Sequence, residues 1–210
     1  MTPNVVCIIQ ARMASQRFPG KVMEDIGGKT TIQRVVERIV TTGLEVAVAL
    51  PPDGNNALAN HLQRIGANHY RWPVPENDVL GRYAACAREY KADVVVRITG
   101  DCPLVDPVAI QGQVKRLLDT GAMYVSNIYP VRTVPSGFDV EVFTATALYV
   151  ADALATNPDD REHVTPWIQQ MFATETTVTA AHGAWPQRPH LSLDTPEDLA
   201  LIRRVAEKTP

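Results

Sequence analysis

Short apolar runs alternate along this chain with longer stretches whose apolar residues recur at helical spacing. Val5-Val6-Cys7-Ile8-Ile9 is an unbroken, β-branched run of the kind that fills a strand buried on both faces. Thr30 and Gln33 then stand at capping-box spacing, and Ile32, Val35, Val36, Ile39 and Val40 share one face of a helix that should stop at Gly43. The unit recurs. Residues 45–50 read as a strand, Pro51-Pro52-Asp53-Gly54 as a turn, and residues 57–65 as a helix with Leu58, Leu62 and Ile65 facing inward. Residues 69–72 can form a short strand, 78–90 a helix, and 93–98 the most convincing central strand. Asp106 and Pro107 place an N-cap and a first-turn proline at the start of a further helix that ends near Gly121. This alternation predicts an α/β fold, a three-layer α/β/α sandwich on a mostly parallel sheet.

The second half is less regular. Residues 123–126 and 138–143 read as strands around a proline-containing loop at 129–137, and such insertions often shape a substrate pocket. Residues 144–155 and 161–171 read as helices, 176–181 and 190–193 as strands, and Thr195-Pro196-Glu197-Asp198 opens a last amphipathic helix. No repeat or low-complexity linker divides the chain, so a single domain over residues 1–210 is expected, with the irregular stretch able to reach across a homodimer.

The end of the first strand carries the clearest candidate chemistry. Arg12, Arg17 and Lys21 leave it within a few residues, and Pro19-Gly20 sets a bend before Lys21. In open α/β sheets ligands collect beyond the carboxyl ends of the strands, and Arg forks with a Lys point charge suit a polyphosphate better than a lone carboxylate. A solvated basic loop is the plainer alternative.

The segment QARMASQRFPGK at 10–21 resembles the signature of the cytidylyltransferase family that contains the sialic acid and ketodeoxyoctulosonate activating enzymes, with the closest likeness to its spore coat polysaccharide biosynthesis branch. ENDVLGRY, RITGDCPLVDP, SNIYP, GFDVEVF, REHVTPWI and LSLDTPEDL follow in order and extend the resemblance over nearly the whole chain. It implies a nucleotide-diphospho-sugar transferase type of fold and magnesium-dependent transfer of CMP from CTP to a sugar or sugar acid, with pyrophosphate released, for surface polysaccharide or glycan synthesis. It also implies nucleotide contacts at Ala11, Arg12, Arg17 and Lys21, and a catalytic part for Arg12, Lys21 and Asp101. The family usually has Gly-Ser-Thr where this chain has Ala14-Ser15-Gln16, and Leu at Phe18. A glycine at positive φ, or one against the phosphates, would make Ala14 a strained or crowded residue.

Asp101 follows the central strand, so its carboxylate should project at the carboxyl edge of the sheet. Magnesium needs only one or two protein carboxylates, with waters and phosphates completing its shell, and Asp194 is the natural second ligand if its strand lies nearby. A turn role for Asp101 and a capping role for Asp194 are the alternatives, although Thr195 can itself cap the last helix. The resemblance places the family's two metal-binding aspartates at these positions. Asp106, before Pro107, is expected to cap its helix rather than bind metal. Asp139 and Glu141 alternate with apolar neighbours and so share one face, which either meets substrate or faces water. Arg161, Glu162 and His163 cluster near a helix start, where they either recognise an acidic sugar or serve in capping and solvation.

Composition narrows the classes further. The net charge is −3 and no long Lys/Arg run occurs, which removes the electrostatic footprint of a nucleic-acid binder. No apolar stretch reaches the length of a membrane span and no basic leader precedes the first strand, so a cytoplasmic location is expected. Three cysteines, far apart and without paired spacing, indicate neither disulfides nor zinc. A P-loop and a dinucleotide fingerprint are absent. Two rival functions remain at this level. A glycosyltransferase on the same fold would commonly show an Asp-x-Asp motif that residues 100–103 lack, and an inactive nucleotide-binding or assembly subunit would not release pyrophosphate.

Overall fold

The computed structural model of the chain describes residues 2–172, 174–176 and 189–208. Its strands are β1 (Val5–Gln10), β2 (Glu45–Leu50), β3 (His69–Arg71), β4 (Val94–Thr99), β5 (Tyr124–Ser126), β6 (Glu141–Thr144) and β7 (Thr174–Thr176). The helices are α1 (Thr31–Val40), α2 (Asn56–Arg64), α3 (Val79–Glu89), α4 (Pro107–Thr120), α5 (Ala145–Leu154), α6 (Pro158–His163), α7 (Pro166–Met171) and α8 (Pro196–Ala206). The strands join in the order β3-β2-β1-β4-β6-β5-β7, and β6 runs antiparallel to both of its neighbours. The other pairings are parallel, so the predicted layered α/β architecture is present.

Strand alternation distributes the core. Cys7, Ile9, Val48, Leu50, Val96, Ile98 and Val142 pack beneath α1, α2 and α4. Val6, Ile8, Ala47, Ala49, Val95 and Phe143 turn to the opposite face, beneath α3 and α5. A third cluster joins Ile26, Leu104, Val134, Phe138, Leu191 and Leu193 to the apolar side of α8, with Phe18 packed against it. This cluster matters most for function, because it anchors both the loop after β1 and the segment carrying Asp194. Among the described residues no helix is long and apolar enough to cross a membrane. Cys7, Cys86 and Cys102 are all buried and free.

Caps explain most element starts. Thr30, Asp78, Asp106, Thr144 and Thr195 each accept a backbone N–H of the following helix. At Thr195 both halves of a capping box form with Asp198. At Thr30 only one half forms, since the Gln33 amide turns outward to donate to Glu37.

The irregular half departs from expectation at several places. The helix expected over 161–171 is two helices, because Val164 adopts φ 72° and Pro166 has no N–H to continue the ladder. The strand expected from 138 begins only at Glu141. Before it, the Asn127 side chain takes the place of a partner strand, donating to the Phe138 carbonyl and accepting from Val140 N–H. Residues 190–193 form a single bridge, Ser136 to His190, rather than a strand. Of the strand expected over 176–181, residues 177–181 lie outside the described residues, and β7 ends at Thr176.

Two backbone positions shape the site. In the loop after β1, Gly20 takes φ 77° and its N–H closes onto Met13 O at 2.9 Å. Ala14 is exposed and not in the left-handed region, so no glycine is required there. Gly137 has φ 99°, and a Cβ on it would stand 2.4 Å from the Leu191 carbonyl. Gly137→Ala is therefore expected to cost more than the ~1 kcal/mol of an ordinary Gly/Ala exchange and to shift the segment leading to Asp194; an unchanged melting temperature would contradict that. Ala14→Gly should leave nucleotide affinity unaltered while lowering stability by roughly 0.4–1 kcal/mol through unfolded-state entropy. Titration calorimetry and thermal unfolding on this variant decide the matter, and tighter binding would reveal strain at Ala14 after all.

Candidate active site

The chain leaves β1 for β2 and β3 on one side, then returns to lay β4 on the other. The crevice beyond the carboxyl ends of β1 and β4 is therefore the topological switch point of the sheet. A cleft of about 610 Å³ lies there, with Gln10, Ala11 and Arg12 from the end of β1 and Ser15, Gln16, Arg17 and Lys21 from the following loop. Arg97, Thr99, Gly100 and Asp101 come from β4 and its end, Val79 and Arg82 from α3, and Glu162 and His163 from α6. Asp194 completes one wall.

At its centre the Lys21 ammonium stands 2.5 Å from Asp101 Oδ2 and 2.9 Å from Asp194 Oδ1. The two aspartates are distant in sequence but tied by backbone, since Leu193 N–H donates to Asp101 O at 2.8 Å. Their outer oxygens are held as well. Thr99 Oγ1 donates to Asp101 Oδ1 at 2.5 Å, and His190 Nε2 lies 3.1 Å from Asp194 Oδ2. Burial alone would lower the Lys21 pKa, but the charges and hydrogen bonds of Asp101 and Asp194 outweigh it and raise the value. Burial likewise opposes ionisation of Asp194, and the Lys21 hydrogen bond and charge, aided by Arg17 and His190, bring its pKa below the ordinary value. Both shifts favour the charged pair.

The other two loop cations are held loosely. Arg17 pairs with Asp194 at 2.8 Å, yet 69% of its side chain is exposed. Arg12 reaches Glu76 at 3.4 Å and Glu162 at 3.7 Å. Exposed pairs of this kind contribute about 0–1 kcal/mol, so either guanidinium can turn to an incoming anion at little cost.

Of the residues singled out in the sequence, Ala11, Arg12, Arg17, Lys21, Asp101, His163 and Asp194 line this cleft. Asp139, Glu141 and Arg161 do not. Asp139 binds Arg132 through both carboxylate oxygens. Glu141 faces neither water nor the cleft: it is buried behind Arg97, which donates to it, and it accepts from Tyr124 Oη at 2.5 Å and Gln169 Nε2 at 3.3 Å. The bland alternation of residues 138–142 gave no sign of this, because the partners come from β4, β5 and α7. Arg161 ties α6 to Asp78 and Asp152, so it fastens the start of α3 rather than reaching into the cleft. Asp106 is a cap, as expected.

Glu162, named in the sequence together with Arg161 and His163, also lines the cleft, whereas Gln10, Arg82 and Arg97 do so without having been picked out from sequence. A signal existed for two of them. Arg97 is a lone charge inside the apolar β4 run, and Arg82 falls on the buried stripe of α3 between Val79 and Tyr83. Charges at such positions are rarely buried without a purpose.

Comparison with known proteins agrees with this geometry. A family model described as cytidylyltransferase matches residues 6–209. The spore coat polysaccharide biosynthesis protein SpsF of Bacillus subtilis is 27% identical over 216 aligned residues, covering 98% of this chain and 87% of its own. A cytidylyltransferase structure from Leptospira borgpetersenii superposes with a TM-score of 0.91 at 27% identity, covering 99% of this chain and 88% of that one. A CMP:2-keto-3-deoxy-manno-octonic acid synthetase complexed with CTP shares the fold, with a TM-score of 0.74 at 20% identity over 98% of this chain and 99% of its own. With the three cations of its first loop and the two aspartates assembled at the switch point, and a family match along almost its full length, the chain belongs to the cytidylyltransferase family.

Proposed function

We propose that this cytidylyltransferase joins the CMP of CTP to a hydroxyl of a sugar or sugar acid, with magnesium as its metal. The observation that carries the reading is the convergence of Asp101 Oδ2 and Asp194 Oδ1 on one ammonium, with Arg12 and Arg17 at the rim of the same cleft. The names of the relatives, a spore coat polysaccharide protein and 3-deoxy-manno-octulosonate cytidylyltransferases, support a sugar acceptor and a product used in glycan synthesis.

The donor set fits magnesium. Among the described residues no group of three or more His, Cys, Asp or Glu forms a closed metal cage. Two hard carboxylate oxygens already drawn towards one cation are the protein share that magnesium ordinarily takes, with waters and phosphates supplying the rest. Asp101 and Asp194 would hold the ion, which when bound neutralises charge on the reacting phosphates.

The chain's own residues do the remaining work by position and charge. Arg12, Arg17 and Lys21 hold the triphosphate, the first two by exchanging weak surface pairs for phosphate oxygens. The acceptor oxygen bonds to the α-phosphorus as the hydroxyl loses its proton, and the bond from that phosphorus to the β-phosphate oxygen breaks, releasing pyrophosphate. The exposed Ala14, with its ordinary backbone, gives no support to an inactive subunit.

Asp101→Asn is expected to keep the fold and lose most metal-dependent turnover, since an amide is a poor magnesium ligand. Pyrophosphate release with a panel of acidic and neutral sugars measures this, and near-normal rates at limiting magnesium would remove Asp101 from the metal site. Lys21→Ala and Arg17→Ala should each weaken CTP more than CMP, by about 1.5–3 kcal/mol where the lost contact is desolvated. Equal losses for the two nucleotides in a calorimetric titration would reject the assignment of these charges to the outer phosphates.

A further inference from the structure

Each of the two cleft aspartates turns one oxygen to Lys21 and has the other occupied. Asp101 Oδ2 and Asp194 Oδ1 stand 2.5 and 2.9 Å from the ammonium. The remaining oxygens have different partners: Asp194 Oδ2 meets the half-exposed His190 ring, whereas Asp101 Oδ1 accepts the Thr99 hydroxyl at 2.5 Å. Thr99 ends β4 and pairs in register with Gln10 of β1. Its hydroxyl proton goes to Asp101, so in the 3.1 Å contact with Cys102 Sγ the thiol is the donor. A β-branched side chain on a paired strand has few rotamers open to it. Strand, thiol and carboxylate together fix where the hydroxyl points.

The turn that carries Asp101 does not need this side-chain bond to hold its shape. Cys102 N–H donates to Thr99 O at 3.2 Å, Gly100 N–H to Gln10 O at 2.9 Å, and Leu193 N–H to Asp101 O at 2.8 Å, so main-chain bonds alone fasten residues 99–102 on both sides. What the hydroxyl adds is the orientation of the carboxylate. It takes up Oδ1 and leaves Oδ2 as the oxygen turned to the centre of the cleft. The Asp101 side chain is 20% exposed, so water can replace a missing hydroxyl there without leaving a buried acceptor unpaired.

That orientation bears on which divalent cation the site accepts. A carboxylate with both oxygens free can chelate through the pair, which suits calcium, a large ion that tolerates irregular geometry and many oxygens. Magnesium demands a near-ideal octahedron, and the narrow bite of a chelating carboxylate departs from it. Resting on the reading of Asp101 and Asp194 as the holders of magnesium, we propose that Thr99 is a positioning residue that sets metal selectivity. Its hydroxyl occupies Asp101 Oδ1, restricts the aspartate to Oδ2, and so favours magnesium over calcium in the complex with CTP. Thr99 acts through Asp101 rather than on the ion itself. His190, half-exposed and joined to Asp194 at 3.1 Å, is a looser restraint on the other carboxylate, so the selectivity rests mainly on Thr99.

Titration calorimetry of CTP in saturating magnesium, in saturating calcium and in EDTA tests this on the full chain and on Thr99→Val, Thr99→Ala and Thr99→Ser, with circular dichroism to verify folding. The unaltered chain should bind CTP more tightly in magnesium than in calcium. Thr99→Val, which keeps the shape and removes the hydroxyl, should weaken the magnesium complex about tenfold or more while leaving the affinities in calcium and in EDTA nearly unchanged. Thr99→Ser keeps the hydroxyl and should retain the preference. Thr99→Ala removes the same hydroxyl and decides the matter if the valine variant does not fold. Equal weakening in magnesium, calcium and EDTA, or a loss that Thr99→Ser does not restore, would mean a merely structural role and overturn the proposal. A magnesium preference that survives in a folded Thr99→Val or Thr99→Ala, or that is missing from the unaltered chain, would overturn it while leaving the metal site standing. If neither cation strengthens CTP binding to the unaltered chain, the assignment of Asp101 and Asp194 to a metal fails as well.

Discussion

Two ionised carboxylates brought together at the edge of a sheet repel unless a cation or a shared proton offsets their charge, and in this chain a cation does so, Lys21. Its ammonium meets Asp101 and Asp194 at hydrogen-bonding distance, and the Leu193 N–H to Asp101 O bond fixes the backbones that carry them. The arrangement depends on the cluster of Phe138, Leu191, Leu193 and the apolar residues of α8, which buries the segment before Asp194 against the body of the protein. Remove any one part and the carboxylates either repel or drift apart. On the proposed reading, the groups that would hold a metal ion and a triphosphate are assembled before either arrives.

Rigidity is unevenly distributed around this centre. Lys21, Asp101 and Asp194 are largely shielded from water, whereas Arg17 is mostly exposed and Arg12 holds its partners at 3.4 and 3.7 Å. Water screens the rim pairs and weakens them, while the central pair retains most of its Coulomb energy. The consequence is a preorganised floor with movable charges at the mouth, suited to a polyanion that must enter and whose pyrophosphate must leave.

A second polar network lies deeper. Arg97, Glu141, Tyr124 and Gln169 come from four different elements and converge beneath the cleft. Buried ion pairs seldom add net stability over apolar packing, because desolvation offsets the attraction. What this one does is hold a guanidinium at a set place in the cleft floor. Arg161 performs a different task, tying α6 to Asp78, the residue that caps α3, and so setting where Val79 and Arg82 enter the site.

Local chemistry along the chain determined the framework. The β-branched runs became β1, β2 and β4, the helical stripes became α1 to α4, and Asp106 and Pro107 started α4 and Gly121 ended it where their conformational preferences require. The cationic loop was legible too, because strand end, bend and charge are all contiguous. Tertiary structure alone decided what depends on contacts between distant segments. Asn127 standing in for a strand partner, Gly137 making room for Leu191, Glu141 turning inward to Arg97 and Arg161 turning away to Asp78 each rest on partners that no local window contains. Periodicity reports which face of an element a residue occupies. Whether that face meets water, a counter-charge or a ligand is set by what folds against it.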